Sequence, residues 1–326
     1  MKIGILTDAH LFHRNSQSQL YKKVITNLHN CVDMIIDCGD LLDKSVLNAI
    51  QSSELQDIFK DISIPFYIVR GNHESLGGVS LTTLLSINSN IHVCNNIEIH
   101  KDMLFVPYND NLTELYSELK NLNLAQPVKY AFSHLNITSN FYATISFEKT
   151  EKLHLYAENW YNGHIHNPEK HNSIYGNILN IGSFSSLTYG DEHIPNYLIL
   201  DTATNTVKKY TVTDSIIHKT VNIFTQDENI PFEILANDFS NMKINWRIKL
   251  PNDFYVEERK KIKEKLQQIP NTNSIQFDYN NSINSVKKNI KKENNTEKIP
   301  LIQQLFKQYE RETGITLLDD IKKELM

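Results

Sequence analysis

The sequence predicts an α/β (α+β) fold: two sheets flanked by helices, a small appended βαβ-like domain and a C-terminal pair of helices. Three observations predict it. Up to about residue 213 one phrase recurs, an apolar run followed by a polar cluster and a helical stretch. Further along, runs alternate apolar with polar residues and carry turn signals. Beyond residue 213 the pattern changes to strand, charged helix, strand.

Taken in order, "KIGILTD", "VDMIIDCGD", "PFYIVRGNHE", "KYAFSHL" and "AENWYNGHIH" are short apolar runs bounded by turn residues. Such runs fit strands buried on both faces. Helix-like stretches lie around 17–30 and 45–60. The segments "NIEIHKDMLFVPY", "NILNIGSFSSLTYG" and "NYLILDTATNTVKKYTV" predict a second, more antiparallel sheet. Residues 1–213 therefore read as one domain. Residues 214–285, with "KINWRIKLP", "FYVEERKKIKEKLQQI" and "NSIQFDY", read as a βαβ-like capping domain. The Asn/Lys-rich residues 286–298 predict a flexible linker. In 299–326, Ile302, Leu305, Phe306 and Tyr309 form one apolar stripe. Gly314 is a natural stop, and Thr316 with Asp319 opens a second helix carrying Leu318, Ile321 and Leu325. Two short amphipathic helices cannot bury their stripes alone, so they are expected to dock, on this chain's core or on a partner.

Composition bounds the function. The chain has 326 residues, 40% hydrophobic and 22% charged, with a mean hydropathy of -0.39. No apolar run approaches the roughly 18 residues of a membrane span, and the N-terminal run ending in Asp8 reads as a strand rather than a leader. Cys31, Cys38 and Cys94 form no CxxC pair, so neither a disulfide framework nor a cysteine zinc site is expected, and a reducing cytoplasm is. The net charge is -5, yet residues 243–298 hold 13 Lys/Arg against 7 Asp/Glu. A polyanion would meet a local basic surface there; a solvated helix face and linker explain the charge equally well.

Five apolar runs end in metal-prone residues: Asp8 with His10, Asp40, Asn72 with His73, His134, and His164 with His166. Sites in α/β sheets gather at the carboxyl ends of strands, where all of these fall. In an extended backbone His164 and His166 would face one point. Carboxylate and amide oxygens mixed with imidazoles suit manganese, iron or zinc. Seven donors are too many for one ion and about right for two sharing a carboxylate. Singly each signal is weak, since a lone GHxH is more often a surface loop. Their joint occurrence, in order, discriminates.

"DAH" (Asp8 to His10), "GDLLD" (Gly39 to Asp43), "GNHE" (Gly71 to Glu74), "SHL" around His134 and "GHIH" (Gly163 to His166) resemble the signatures of calcineurin-like metallophosphoesterases. Within that superfamily the chain looks most like the nuclease subunit of the double-strand-break repair complex, the bacterial SbcD type and its phage relatives. The resemblance implies a pair of packed sheets flanked by helices and two divalent ions, most commonly manganese. It implies Asp8, His10 and His166 as ligands of one ion, Asn72, His134 and His164 as ligands of the other, and Asp40 as the bridge. It further implies DNA as substrate, a homodimer, no membrane, and an SMC-like coiled-coil ATPase of the SbcC type docking the C-terminal helices. The motif departs at Glu74, where the family usually has Asp, and Asp43 fills a place often held by another polar residue.

His73, beside a ligand but not counted among them, is the candidate general acid, with a structural histidine as the alternative. Trp246, Arg247, Lys249 and the helix Glu258 to Lys265 are candidates for gripping phosphates. The other eight histidines, His92 and His100 among them, read as surface or packing residues. A metallophosphatase or cyclic-nucleotide phosphodiesterase on the same scaffold, and a silent DNA- or partner-binding scaffold, remain as competing readings.

Overall fold

The computed structural model describes residues 1–13, 17–74, 88–138, 145–191, 193–224, 230–251 and 254–279. All but Pro251 and Tyr279 of these belong to one compact unit. The C-terminal helices, the linker and Arg14 lie outside the described residues.

The strands are β1 (Lys2–Leu6), β2 (Met34–Asp37), β3 (Phe66–Val69), β4 (Ile91–Cys94), β5 (Glu98–His100) and β6 (Met103–Val106). They continue as β7 (Val128–Ser133), β8 (Ile137–Thr138), β9 (Ile145–Ser146), β10 (Ala157–Asn162), β11 (Glu169–Ser173) and β12 (Gly176–Asn180). The last are β13 (Asn196–Asp201), β14 (Thr206–Thr211), β15 (Ile216–Asn222), β16 (Lys243–Leu250) and β17 (Thr272–Tyr279). Helices are α1 (Ser18–His29), α2 (Ala49–Phe59), α3 (Leu112–Asn121), α4 (Phe232–Asn237) and α5 (Val256–Gln267).

Two six-stranded sheets, in the orders β14-β13-β1-β2-β3-β4 and β11-β12-β10-β7-β6-β5, pack face to face. Apolar side chains on both faces of β1 and β2 make this possible. Ile3, Ile5, Met34 and Ile36 enter the space between the sheets against Phe105, Phe132 and Tyr161. Ile35 and Leu6 turn the other way, toward Tyr21, Ile25 and Leu28 of α1 and Leu55 and Phe59 of α2. On the outer face of the second sheet Leu115 and Leu119 of α3 cover Leu104 and Val106. Truncating a buried ring such as Phe59 to Ala is worth about 3–5 kcal/mol.

The second sheet is not the antiparallel one expected. The pairs β12·β10, β10·β7 and β7·β6 are parallel, and antiparallel pairing is confined to its edges, β11·β12 and β5·β6. The β13–β14 hairpin joins the first sheet instead, with Leu200 opposite Ile3. Alternation reports which face of a strand is buried and says nothing about which sheet it joins.

The region read as βαβ-like gains two elements, β15 and α4. β15 pairs parallel with β16, and the sheet order is β15-β16-β17. Trp246 is fully buried there, with its Nε1 donating to Thr272 Oγ1 at 3.0 Å, so it is core and not a phosphate contact. Arg247 Nε donates to Asp278 Oδ2 at 2.5 Å, which ties up the second proposed grip.

Candidate metal centre

Strands β1, β2 and β3 end at Leu6, Asp37 and Val69, and the chain beyond each delivers Asp8, Asp40 and Asn72. From the second sheet β7 and β10 deliver His134, His164 and His166. The backbones there interlock: Asp8 N donates to Gly39 O and His10 N to Asp40 O, both at 2.9 Å, and Gly163 N to Ser133 O at 2.9 Å. Four candidate ligands stand in the left-handed region, Asp8 (φ 51°), His10 (45°), Asp40 (50°) and His164 (70°). Such residues cost about 1–3 kcal/mol each and persist only where the surroundings over-determine them. His164 and His166 thus lie beyond the strand end, and their placement does not come from extended two-residue spacing.

All seven candidate ligands come together. His10 Nε2 and His166 Nε2 lie 3.3 Å apart, with Asp8 Oδ1 4.0 Å from the former and 3.7 Å from the latter. Asn72 Oδ1 lies 3.1 Å from His134 Nε2 and 2.9 Å from His164 Nδ1. Asp40 Oδ2 faces both groups, 3.9 Å from His10 Nε2 and 3.4 Å from His134 Nε2. His73 sits at the rim, its Nε2 3.8 Å from the same oxygen, its Nδ1 donating to Asp43 O at 2.9 Å.

The surroundings fix which nitrogen points inward. His134 Nδ1 donates to Cys38 O at 2.8 Å and His166 Nδ1 to Asp191 Oδ1 at 3.0 Å. With Nδ1 engaged, it is Nε2 of each ring that faces the centre and would serve as donor atom to a bound ion. Burial lowers His10 to about 3 and His164 to about 4, so both are neutral near pH 7. Burial also pulls His134 down, but the Asp40 and Asp8 carboxylates outweigh it and raise it to about 10. Burial pushes Asp8 up, whereas for Asp40 the imidazoles of His134 and His10 overcome burial and hold the carboxyl low.

These atoms fit cations. Asp8 Oδ1 is buried without a hydrogen-bond donor, and the Nε2 atoms of His10 and His166 converge to 3.3 Å beside it. Imidazoles and carboxylates in this mixture are the donor set of borderline divalent metals. Asp8, His10 and His166 form one group and Asp40, His134 and His164 another, with Asn72 completing the second.

Sequence reasoning missed several residues that hold the centre. Asp191 accepts from Leu187 N and Thr188 N at 2.7 and 2.8 Å while orienting His166. The only signal for it was a second Gly-Asp pair, Gly190-Asp191. Buried Asn162 accepts from Leu135 N and donates to Gly163 O, both at 2.8 Å, joining the His134 and His164 loops. Glu74 does not orient His73. It accepts from Asp40 N at 3.2 Å, Leu42 N at 2.8 Å and Gly71 N at 2.8 Å, clamping the Asp40 loop onto the Asn72 turn. The longer glutamate reaches all three, and burial with the nearby Asp40 charge raises it to about 8. Gly71 has no alternative here, since a Cβ would strike Asp40 and Glu74; Gly39, at φ 103°, would strike His134.

Beside Asn72 a polar groove of about 640 Å³ is lined by Arg70, Asn95, Asn96, Tyr108 and Asn109 among others. On another side Tyr189 contacts the small sheet through the His218 ring (4.9 Å) and the Arg247 guanidinium (5.5 Å). The loop bearing Asp191 thereby touches the β15–β17 sheet.

Among solved structures the chain is similar to an archaeal phosphodiesterase, at 18% identity and TM-score 0.40, over 65% of this chain and 99% of that one. It is similar also to the protein TT1561 of Thermus thermophilus, at 12% identity and TM-score 0.46, over 65% and 98%. GAP50 of Plasmodium aligns at 13% identity and TM-score 0.46, over 66% and 85%. No curated protein matches. Residues 1–205 match the calcineurin-like phosphoesterase superfamily domain. With its two packed sheets and its paired metal-donor groups, this chain belongs to the calcineurin-like phosphoesterase superfamily, the two-metal-dependent hydrolases.

Proposed function

We propose that the protein is a manganese-dependent DNA nuclease of the SbcD type. The observation that supports hydrolysis of a phosphoester is Asp40 Oδ2, one oxygen facing two separate donor groups. Asp8, His10 and His166 would hold one ion, Asn72, His134 and His164 the other, with Asp40 shared. Bound there, the ions supply Lewis-acid polarisation of the phosphoryl group and activation of water. As general acid, His73 would keep Nδ1 on Asp43 O and deliver a proton through Nε2 to the departing sugar oxygen. Arg70 and the asparagines of the groove would contact a phosphate strand, opposed by the carboxylates of Asp110, Glu114 and Glu118 in the same lining. Lys260 and Lys261 on α5, exposed by 78% and 65% but paired with Glu264 and Glu258, would have to exchange those carboxylates for phosphates to hold the polyanion.

The test offers linear duplex DNA, single-stranded DNA and nitrophenyl mono- and diesters side by side, with Mn²⁺ or Mg²⁺. The nuclease reading expects manganese-dependent cutting of both DNAs. Turnover of a monoester with both DNAs intact would replace it by a phosphatase.

The apolar stripe of 299–326 supports an SMC-like ATPase as partner. Truncation after Asn295 is expected to leave basal cleavage intact and to abolish ATP-stimulated cutting by the reconstituted pair. Undiminished stimulation would remove the docking role.

A further inference from the structure

We infer that His92, Glu98 and His100 form a further metal site, apart from the seven-residue centre, for a borderline divalent ion of the zinc type. His92 Nε2 lies 3.0 Å from Glu98 Oε1 and His100 Nε2 3.0 Å from Glu98 Oε2, with the two imidazole centroids 4.5 Å apart. One donor atom from each lies within 4.8 Å of the others. With zinc bonds of about 2.0–2.2 Å, tetrahedral ligands sit about 3.3 Å apart, so small shifts would admit the ion. Two imidazoles and one carboxylate, with a fourth position left to water, is a zinc ligand set.

A hydrogen-bonded trio explains the cluster less well. His92 Nε2 donates to Glu98 Oε1. His100 Nε2 is buried 3.0 Å from Glu98 Oε2, where burial pushes the carboxyl up but the imidazoles together hold it low, and it lacks a well-formed hydrogen bond. An ion shared with Glu98 and His92 would give that nitrogen a well-directed partner. The ligands are also held in advance. Tyr67 packs against both imidazoles at 5.5 and 5.4 Å, and the Cys94 side chain hydrogen-bonds the Glu98 carboxyl.

The site joins the two sheets at one edge. His92 stands on β4, the edge strand of the first sheet, and Glu98 and His100 on β5, the edge strand of the second. Asn95 and Asn96, between those strands, line the groove beside Asn72. The ion would staple the edges and restrain that wall of the groove.

The experiment uses the full chain, freed of metal by chelation and titrated with Zn²⁺ or Co²⁺ by calorimetry and mass spectrometry. The chain is compared with its Glu98→Gln and His92→Ala/His100→Ala variants, each also in an Asp40→Ala background. One ion fewer per chain in every edge variant is expected. The Asp40→Ala chain should keep one Co²⁺ with the intense visible bands of four-coordination, and Glu98→Gln should abolish them. Thermal midpoint measurements should show a zinc-dependent rise in Asp40→Ala that is absent when Glu98→Gln is added. Equal ion counts with and without the edge substitutions, or occupancy reached only at millimolar zinc, would overturn the site. Glu98→Gln, nearly isosteric, serves if the double alanine variant does not fold.

Discussion

The main centre and the edge cluster use the same side chains on different backbones. Asp8, His10, Asp40 and His164 reach the centre on left-handed residues past the strand ends, whereas His92, Glu98 and His100 stand within regular strands. Strained loops can bring donors from five chain segments within a few ångströms, but only if further groups hold them. Glu74, Asn162 and Asp191 are those groups. Strands need no such scaffold, yet they deliver few donors to one point. The difference teaches that a two-ion centre depends on its supporting hydrogen bonds, while the edge cluster depends on sheet packing.

The contrast breaks most completely at Asp40. Asp40→Ala should lose both ions of the main centre and its hydrolytic activity, because two cations would be left mutually repelling and under-coordinated. Metal counting checks this, and retention of both ions would end the sharing role. The edge cluster should be indifferent to the change.

His73→Ala is expected to keep both ions yet lower turnover on DNA by ~10²–10⁴. The loss should shrink on a nitrophenyl diester, whose leaving group needs no proton. Equal loss on both substrates would point to positioning instead.

A smaller effect tests the support around one ligand. Asp191→Asn weakens the hold on His166 Nδ1, and loss of such a partner typically costs about 10–100-fold in metal affinity. One of the two ions should weaken, measured by calorimetry; two unchanged affinities would show that His166 needs no orienting carboxylate.

Least effect on the ions is expected from Asp37, which accepts from Tyr21 OH at 2.8 Å and Gly39 N at 3.0 Å. Burial raises its carboxyl to about 7, against about 3.9 in an unfolded chain. Between those values the folded chain holds a proton that the unfolded chain has lost. Its contribution to stability is therefore full below about pH 4 and falls by up to about 1.4 kcal/mol per pH unit until about pH 7. Asp37→Asn cannot titrate, so its stability relative to the parent should rise from pH 5 to pH 8 in urea unfolding. A constant difference would mean that Asp37 is ionised throughout.

Much of the main centre was legible in the sequence because its donors follow apolar runs in short motifs, from "DAH" to "GHIH". The local signals of β1, β2, β3, α1 and α2 were legible too, since buried runs and helical spacing are local properties. Trp246 was misread because a strand bearing Trp, Arg and Lys does not reveal which face is buried.

By itself, then, the sequence determined the candidate donor residues, the apolar runs that carry them and the phosphoesterase family. Only the tertiary structure decided that β13 and β14 join the first sheet, that Asp191 meets His166 from 25 positions away, and that His92 meets His100 across two sheet edges. The physical reason is range. Burial patterns and turn residues are written within a few positions, whereas sheet membership and side-chain convergence arise from packing between segments whose spacing in the chain carries no periodic signal.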